Sequence, residues 1–201
     1  SLNAATVGID VAAGATLTLT NAFAGTASNS LQKNALGTLV VSANNSTARS
    51  GTTTIVGGVI QVEHASALGT GQIILNPGSA AAGAALWLSG GITLANNINM
   101  AATSAAAPTG INNTGGIFNA SGNNTLSGSI TNTAAVGLTI GTATGTTLTI
   151  NAGSMANSNS PTFNAIGTGV INLGNYNVNT PSFGKIGTGT LNITGASTST
   201  S

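Results

Sequence analysis

Charged side chains, aromatics and cysteine are almost missing from this chain. Only 2% of its 201 residues are charged and 3% are aromatic, and there is no cysteine. The lack of cysteine excludes disulfides and thiolate chemistry. Three basic residues against two acids leave a formal net charge of +1, which gives no electrostatic handle on nucleic acid or an anionic membrane. No apolar run approaches the roughly 18 residues of a membrane-spanning helix, and no basic stretch followed by an apolar one opens the chain as a signal peptide would. The shortage of Leu and aromatics excludes a large mixed core. A chain that opens on Ser1 reads as a processed product or as an excerpt of something longer.

An ordinary domain carries about 25% charge, so here Thr, Ser and Asn must make the surface polar. Disorder is the usual reading of Gly- and Ser-rich chains, and this one has 29 Gly. Its Val, Ile, Leu and Thr alternate too regularly for that. In Thr16-Leu17-Thr18-Leu19-Thr20 the two leucines face one side and the threonines the other. Val7, Ile9 and Val11 alternate in the same way, as do Leu148 with Ile150, Ile171 with Leu173, and Leu191 with Ile193. No segment shows a helical period. Ala80 to Ala85 reads as a small-residue corner, and Ala101 to Ala107, ended by Pro108, as a bulging loop.

One phrase recurs. It opens at Lys33, Ala35 and Gly37-Thr38-Leu39-Val40-Val41, returns at Ile166-Gly167-Thr168-Gly169-Val170-Ile171, and returns again at Lys185-Ile186-Gly187-Thr188-Gly189-Thr190-Leu191. The leading aliphatics Leu17, Leu39 and Ile60 are 22 and 21 residues apart, and Leu148, Ile171 and Leu191 are 23 and 20 apart. Spacings of about 20 residues fit one coil of a parallel β-solenoid, so the fold class is all-β, with about 20–23 residues per coil. Gly57-Gly58, Gly90-Gly91 and Gly115-Gly116 mark corners. The pairs Asn44-Asn45, Asn96-Asn97, Asn112-Asn113 and Asn123-Asn124 are expected in tight turns that use the tolerance of Asn for positive φ.

Residues 33–76 resemble the autotransporter-associated β-strand repeat of bacterial autotransporter passenger domains. The matching positions are Gly37-Thr38-Leu39, Asn44-Asn45, Gly51-Thr52-Thr53, Gly57-Gly58-Val59-Ile60-Gln61-Val62, Ala67-Leu68-Gly69 and Gly71. Partial copies lie at 165–175 and 185–195. The resemblance implies a right-handed parallel β-helix, exported and displayed at the surface of a Gram-negative-type bacterium.

Chemistry finds few candidates. Asp10 and Glu63 are the only acids. They are separated by more than two coils, so a pair sharing one face would lie about 10 Å or more apart along the rod, and solvated surface acids are favoured over the paired carboxylates of a glycosidase. Glu63 and His64 are adjacent, point to opposite sides of an extended chain, and read as an exposed turn. One His, two acids and no Cys cannot close a zinc site, and no Asp-rich calcium repeat is present. Gly187-Thr188-Gly189 leads into a strand rather than a helix, so it is no phosphate loop. Trp87 and Tyr176 read as local packing elements. The arrays Thr16, Thr18, Thr20 and Thr147, Thr149 suggest an ice-binding face if they stack in register; outward Thr is also simply a favoured strand residue.

The expectation is one non-enzymatic β-solenoid module over 1–201, uncapped at both ends, without cofactor or metal. It is expected outside the cell or at the bacterial surface, as the rod of an adhesin or an end-to-end filament. The end-coil residues Val7, Ile9, Val11, Leu191 and Ile193 are expected to carry self-association. The partner is another copy or an adjoining module of the same polypeptide, with a surface glycan or host ligand as a further class. No nucleic-acid partner and no membrane insertion are expected. The alternative is a binding module whose flat Thr/Asn face recognises ice or a glycan.

Overall fold

The structure, a computed structural model, describes residues 6–23, 28–47, 49–77, 83–101, 115–133, 137–151, 155–157, 161–174, 176–177, 184–195 and 197–198. The chain winds as a β-solenoid of short strands, and among the described residues there is no helix. The early coils carry two strands each: β1 (Thr6–Asp10) with β2 (Thr16–Leu19), β3 (Ser30–Asn34) with β4 (Thr38–Val41), and β5 (Thr53–Ile55) with β6 (Gly58–Val62). A third strand then joins. The following coils hold β7 (Ile73–Leu75), β8 (Ala84–Leu88) and β9 (Thr93–Leu94), then β10 (Ile98–Met100), β11 (Ile117–Asn119) and β12 (Asn123–Leu126). After them come β13 (Ile130–Asn132), β14 (Thr139–Thr142) and β15 (Thr147–Ile150), then β16 (Met155–Asn157), β17 (Thr162–Ala165) and β18 (Val170–Leu173). The last coil has β19 (Tyr176–Asn177), β20 (Gly184–Ile186) and β21 (Thr190–Ile193), with β22 (Ser197–Thr198) beyond.

Stacking the coils makes three parallel sheets. The first runs β1-β3-β5-β7-β10-β13-β16, the second β2-β4-β6-β8-β11-β14-β17-β20, and the third β9-β12-β15-β18-β21, while β19 pairs with β22. Every strand pairing is parallel, so each coil bonds to the next through its backbone and side chains of equal register form columns about 4.8 Å apart. The inward column of the second sheet reads Leu17, Leu39, Ile60, Leu86, Ile117, Ile140, Phe163 and finally Lys185. From Leu39 to Phe163 these residues are fully buried. Aliphatic burial of this kind contributes about 1.5–3 kcal/mol per side chain, repeated at every rung.

The two sequence registers are both real, yet they belong to different sides of the rod. Leu17, Leu39 and Ile60 stack in the second sheet. Leu148, Ile171 and Leu191 stack in the third. The recurring phrase is therefore a strand–corner–strand unit used at two corners: between the first and second sheets at Lys33–Leu39, and between the second and third at Lys185–Leu191. Before β9 begins, the third side is closed without strands, by buried Ala43, Asn45 and Arg49 and then by Ala67 and Leu68.

Corners pack backbone on backbone. A Cβ on Gly71 would sit 2.1 Å from the carbonyl oxygen of Gly51, so this corner admits no side chain. Two local expectations need correction. Ala84 and Ala85 start strand β8 instead of forming a corner, and Ala102 to Ala107 lie outside the described residues. The Asn pairs do not adopt positive φ: among the described residues Ala35, at 56°, is the non-glycine that does. Asn112 and Asn113 lie outside the described residues.

Candidate functional site

The asparagines act through their side chains. Asn45 is buried and ties three coils together. Its Oδ1 accepts from Phe23 N–H at 2.7 Å, one coil back, and its Nδ2 donates to the Ala67 carbonyl at 2.7 Å, one coil on. Asn124 joins two coils later in the chain, accepting from Ile92 N–H at 2.7 Å one coil back and donating within its own coil to Asn119 Oδ1 and to the Ser121 carbonyl. Asn119 continues the network to Thr142 and Thr146 Oγ1 at 3.0 and 2.9 Å. On the outside, Asn97 with Ser129, Asn99 with Thr131, and Asn172 with Asn192 bond from coil to coil. A buried amide saturated in this way fixes the register of its coil against slippage, because any shift orphans its donors and acceptors.

Two of the three basic residues are inside the rod. Lys33 occupies an inward position between Ile9 and Ile55 and is fully buried. Its ammonium donates to the carbonyls of Asn34 (2.5 Å), Ala35 (2.9 Å) and Gly57 (3.1 Å), the last in the next coil. Burial pushes its pKa below the ordinary lysine value, against a smaller opposing pull from Asp10. Arg49 is 2% exposed. It donates to Thr53 Oγ1 (3.1 Å) and to the carbonyls of Gly51 (3.2 Å) and Thr52 (2.9 Å), and lies 5.6 Å from the centre of the Phe23 ring. Burial lowers its pKa as well. The sequence carried no sign of these roles except that Lys33 falls on the inward beat of its strand.

The acids are apart. Asp10 ends β1 in the first sheet, whereas Glu63 follows β6 of the second, and both are exposed. Glu63 Oε1 accepts from Gln61, and His64 Nδ1 accepts from Ser66 N–H within the expected turn. Among the described residues no three His, Cys, Asp or Glu gather as a metal site would require. Trp87 packs against Phe118 at 5.6 Å on the outer face of the second sheet. A notch of about 170 Å³ lined by Ala65, Ser66, Gly69, Thr70, Ala95 and Asn96 lies where the third side changes from loop to strand. The backbone of Tyr176 lies in β19.

The expected self-association residues fall at opposite ends and on different sheets. Val7 and Ile9 are half-buried in β1, the first strand of the first sheet, and Val11 just beyond is buried. Leu191 is half-buried and Ile193 exposed in β21, the last strand of the third sheet. The sheet whose two edge strands lie in the first and last described coils is the second, through β2 and β20. Leu17 and Ile186 on these strands are 40% and 48% exposed. The inward alternation of Leu17 was legible in the sequence; the pairing of β2 with β20 as ends of one sheet was not.

The threonine arrays do not stack on each other. Thr16 and Thr18 are in the second sheet, where Val40, Gln61 and Trp87 continue the column of Thr18, and Thr147 and Thr149 are in the third. The third sheet does present one outward polar column: Thr93, Thr125, Thr149, Asn172 and Asn192. Comparison with protein-family models, curated proteins and solved structures gives no match.

Proposed function

We propose that this chain is a non-enzymatic structural rod, part of a bacterial surface adhesin or an end-to-end filament outside the cell. The carrying observation is the second sheet, whose register continues unbroken through eight strands and whose edge strands β2 and β20, among the described residues, each pair on one side only. A parallel edge strand presents a row of free donors and acceptors, a template for a further strand. Another copy, or an adjoining module of the same polypeptide, extends the ladder without new chemistry. The near-zero net charge opposes neither. Surface display draws support from the repeat-like residues 33–76.

Sedimentation and negative-stain microscopy across a concentration series test the filament form. Elongation at constant width is the expected result, and a rod that stays single at high concentration removes it. The outward Thr/Asn column of the third sheet favours a second reading, recognition of ice or a glycan. Absence of both thermal hysteresis and glycan-array binding removes that one.

A further inference from the structure

We propose that Asn44 is an N-glycosylation acceptor, its side-chain amide taking a sugar from a phosphate-linked donor with Ser46 as the hydroxyl residue that the transferase reads. The inference is independent of how rods associate. Asn45, next in the chain, bonds to Phe23 in the coil before and to Ala67 in the coil after, so Asn44 sits within the stack and away from its ends.

Transfer to asparagine requires Asn-x-Ser/Thr, with x other than Pro, at an accessible surface position. The sequence carries this pattern six times, from Asn44, Asn45, Asn112, Asn119, Asn123 and Asn192. The fold withdraws most of them. Asn45 and Asn119 are fully buried, the first bracing three coils and the second donating to Thr142 and Thr146. Asn192 commits its Nδ2 to Asn172 Oδ1 at 2.9 Å. Asn123 lies in β12, laddered on both sides by β9 and β15, and accepts from Thr147 N–H. Asn112 lies outside the described residues.

Asn44 differs in each respect. It is exposed, in the connection between β4 and β5, on the side of the rod that has no strand in these coils. Its Oδ1 accepts from Ser46 N–H at 3.0 Å, closing a turn that holds the two residues of the pattern together. Ser46 is exposed as well. Among the described residues the Asn44 Nδ2 has no hydrogen-bond partner, so the atom that must react is free. In the transfer Nδ2 attacks C1 of the sugar and the C1–N bond forms. The bond from C1 to the phosphate oxygen breaks, the phosphate leaves with the electron pair, and the Nδ2 proton passes to the transferase. A glycan placed here projects from a loop and leaves all three strand ladders intact.

The neighbouring patterns overlap, which makes the site separable by mutation. Ser46→Ala destroys the Asn44 pattern and keeps Asn45-x-Thr47, whereas Thr47→Ala does the reverse. The folded full chain is incubated in two arms, one with a soluble N-glycosyltransferase and a nucleoside-diphosphate glucose, the other with a membrane oligosaccharyltransferase and a lipid-pyrophosphate-linked glycan. Denaturation and trypsin then separate peptide 34–49, holding Asn44 and Asn45, from 50–185 and 186–201, which hold the rest. Far-UV circular dichroism checks that each variant is folded. The expected result is sugar on 34–49 in at least one arm, which identifies the donor. That mass is lost in Asn44→Gln and Ser46→Ala and kept at wild-type occupancy in Thr47→Ala. Sugar that survives Ser46→Ala and disappears in Thr47→Ala overturns the assignment in favour of Asn45. Sugar on 50–185 or 186–201 with 34–49 bare overturns it too. So does a bare chain in both arms when a synthetic peptide of residues 34–49 is glycosylated beside it.

Discussion

The Lys33 ammonium donates to the Gly57 carbonyl across 3.1 Å, fastening the corner of one coil to the corner of the next. A cation thus fills a slot that Ile9 and Ile55 hold in the neighbouring coils. It is tolerated because corner carbonyls converge there. Lys33→Met keeps the apolar stem but leaves three carbonyls without this donor. Loss of about 1–3 kcal/mol is expected, read as a lower midpoint in guanidinium unfolding.

The same site carries a pH dependence. The folded-state pKa of Lys33 lies below its ordinary 10.5 because burial disfavours the charge. Between the folded value and 10.5 the unfolded chain therefore holds a proton that the folded chain has released, and stability rises with pH in that window. Thermal melts should show Tm climbing as pH approaches 10.5 in wild type and a flatter profile in Lys33→Met. A falling Tm in wild type with no difference between the two would contradict the assignment.

Ala35 holds a left-handed conformation that glycine adopts without strain. The penalty for an L-residue there is about 1–2 kcal/mol, partly offset by the greater unfolded-state freedom of glycine. Ala35→Gly is expected to leave stability unchanged or raise it by up to about 1 kcal/mol. Gly71→Ala, facing the Gly51 carbonyl at 2.1 Å, should do the opposite. Paired denaturation curves decide both.

Trypsin has three possible sites, Lys33, Arg49 and Lys185. The first two are buried and the third is exposed. Native digestion should yield one early product ending at Lys185, identified by intact mass. Early cleavage after Lys33 or Arg49 would show that the first coils open readily.

Asn45 accepts from one coil and donates to another, so Asn45→Ala should cost about 2 kcal/mol or more, by orphaning Phe23 N–H and the Ala67 carbonyl. Asn45→Asp retains the acceptor alone and should fall between the two. Equal midpoints for all three proteins would remove the brace role.

Period-two alternation and the 20–23-residue spacing made the parallel solenoid readable, and Leu17 to Leu39 to Ile60 is the register observed. Alternation is a property of the local backbone, fixed by where Leu, Ile and Thr fall. Which side of the rod a strand joins is different. The phrases at Lys33 and Lys185 look alike, yet they turn different corners, because placement depends on every coil stacked beforehand. The positions of Asn45, Lys33 and Arg49 were hidden for a related reason. Each has a partner carbonyl about 20 to 24 positions away, and a backbone carbonyl leaves no mark in the sequence.

By itself the sequence determined most of the alternating strands and their inward faces, since these follow from side-chain period and glycine placement. In the second sheet Ile60 to Leu86 and Leu86 to Ile117 take 26 and 31 residues, whereas the 20–23-residue coil holds for the other steps. The tertiary structure alone decided that the third sheet begins at β9, that two cations lie inside, and that β2 and β20 are the edges of one sheet. Those outcomes rest on hydrogen bonds and contacts between coils, which exist only once the chain has wound upon itself.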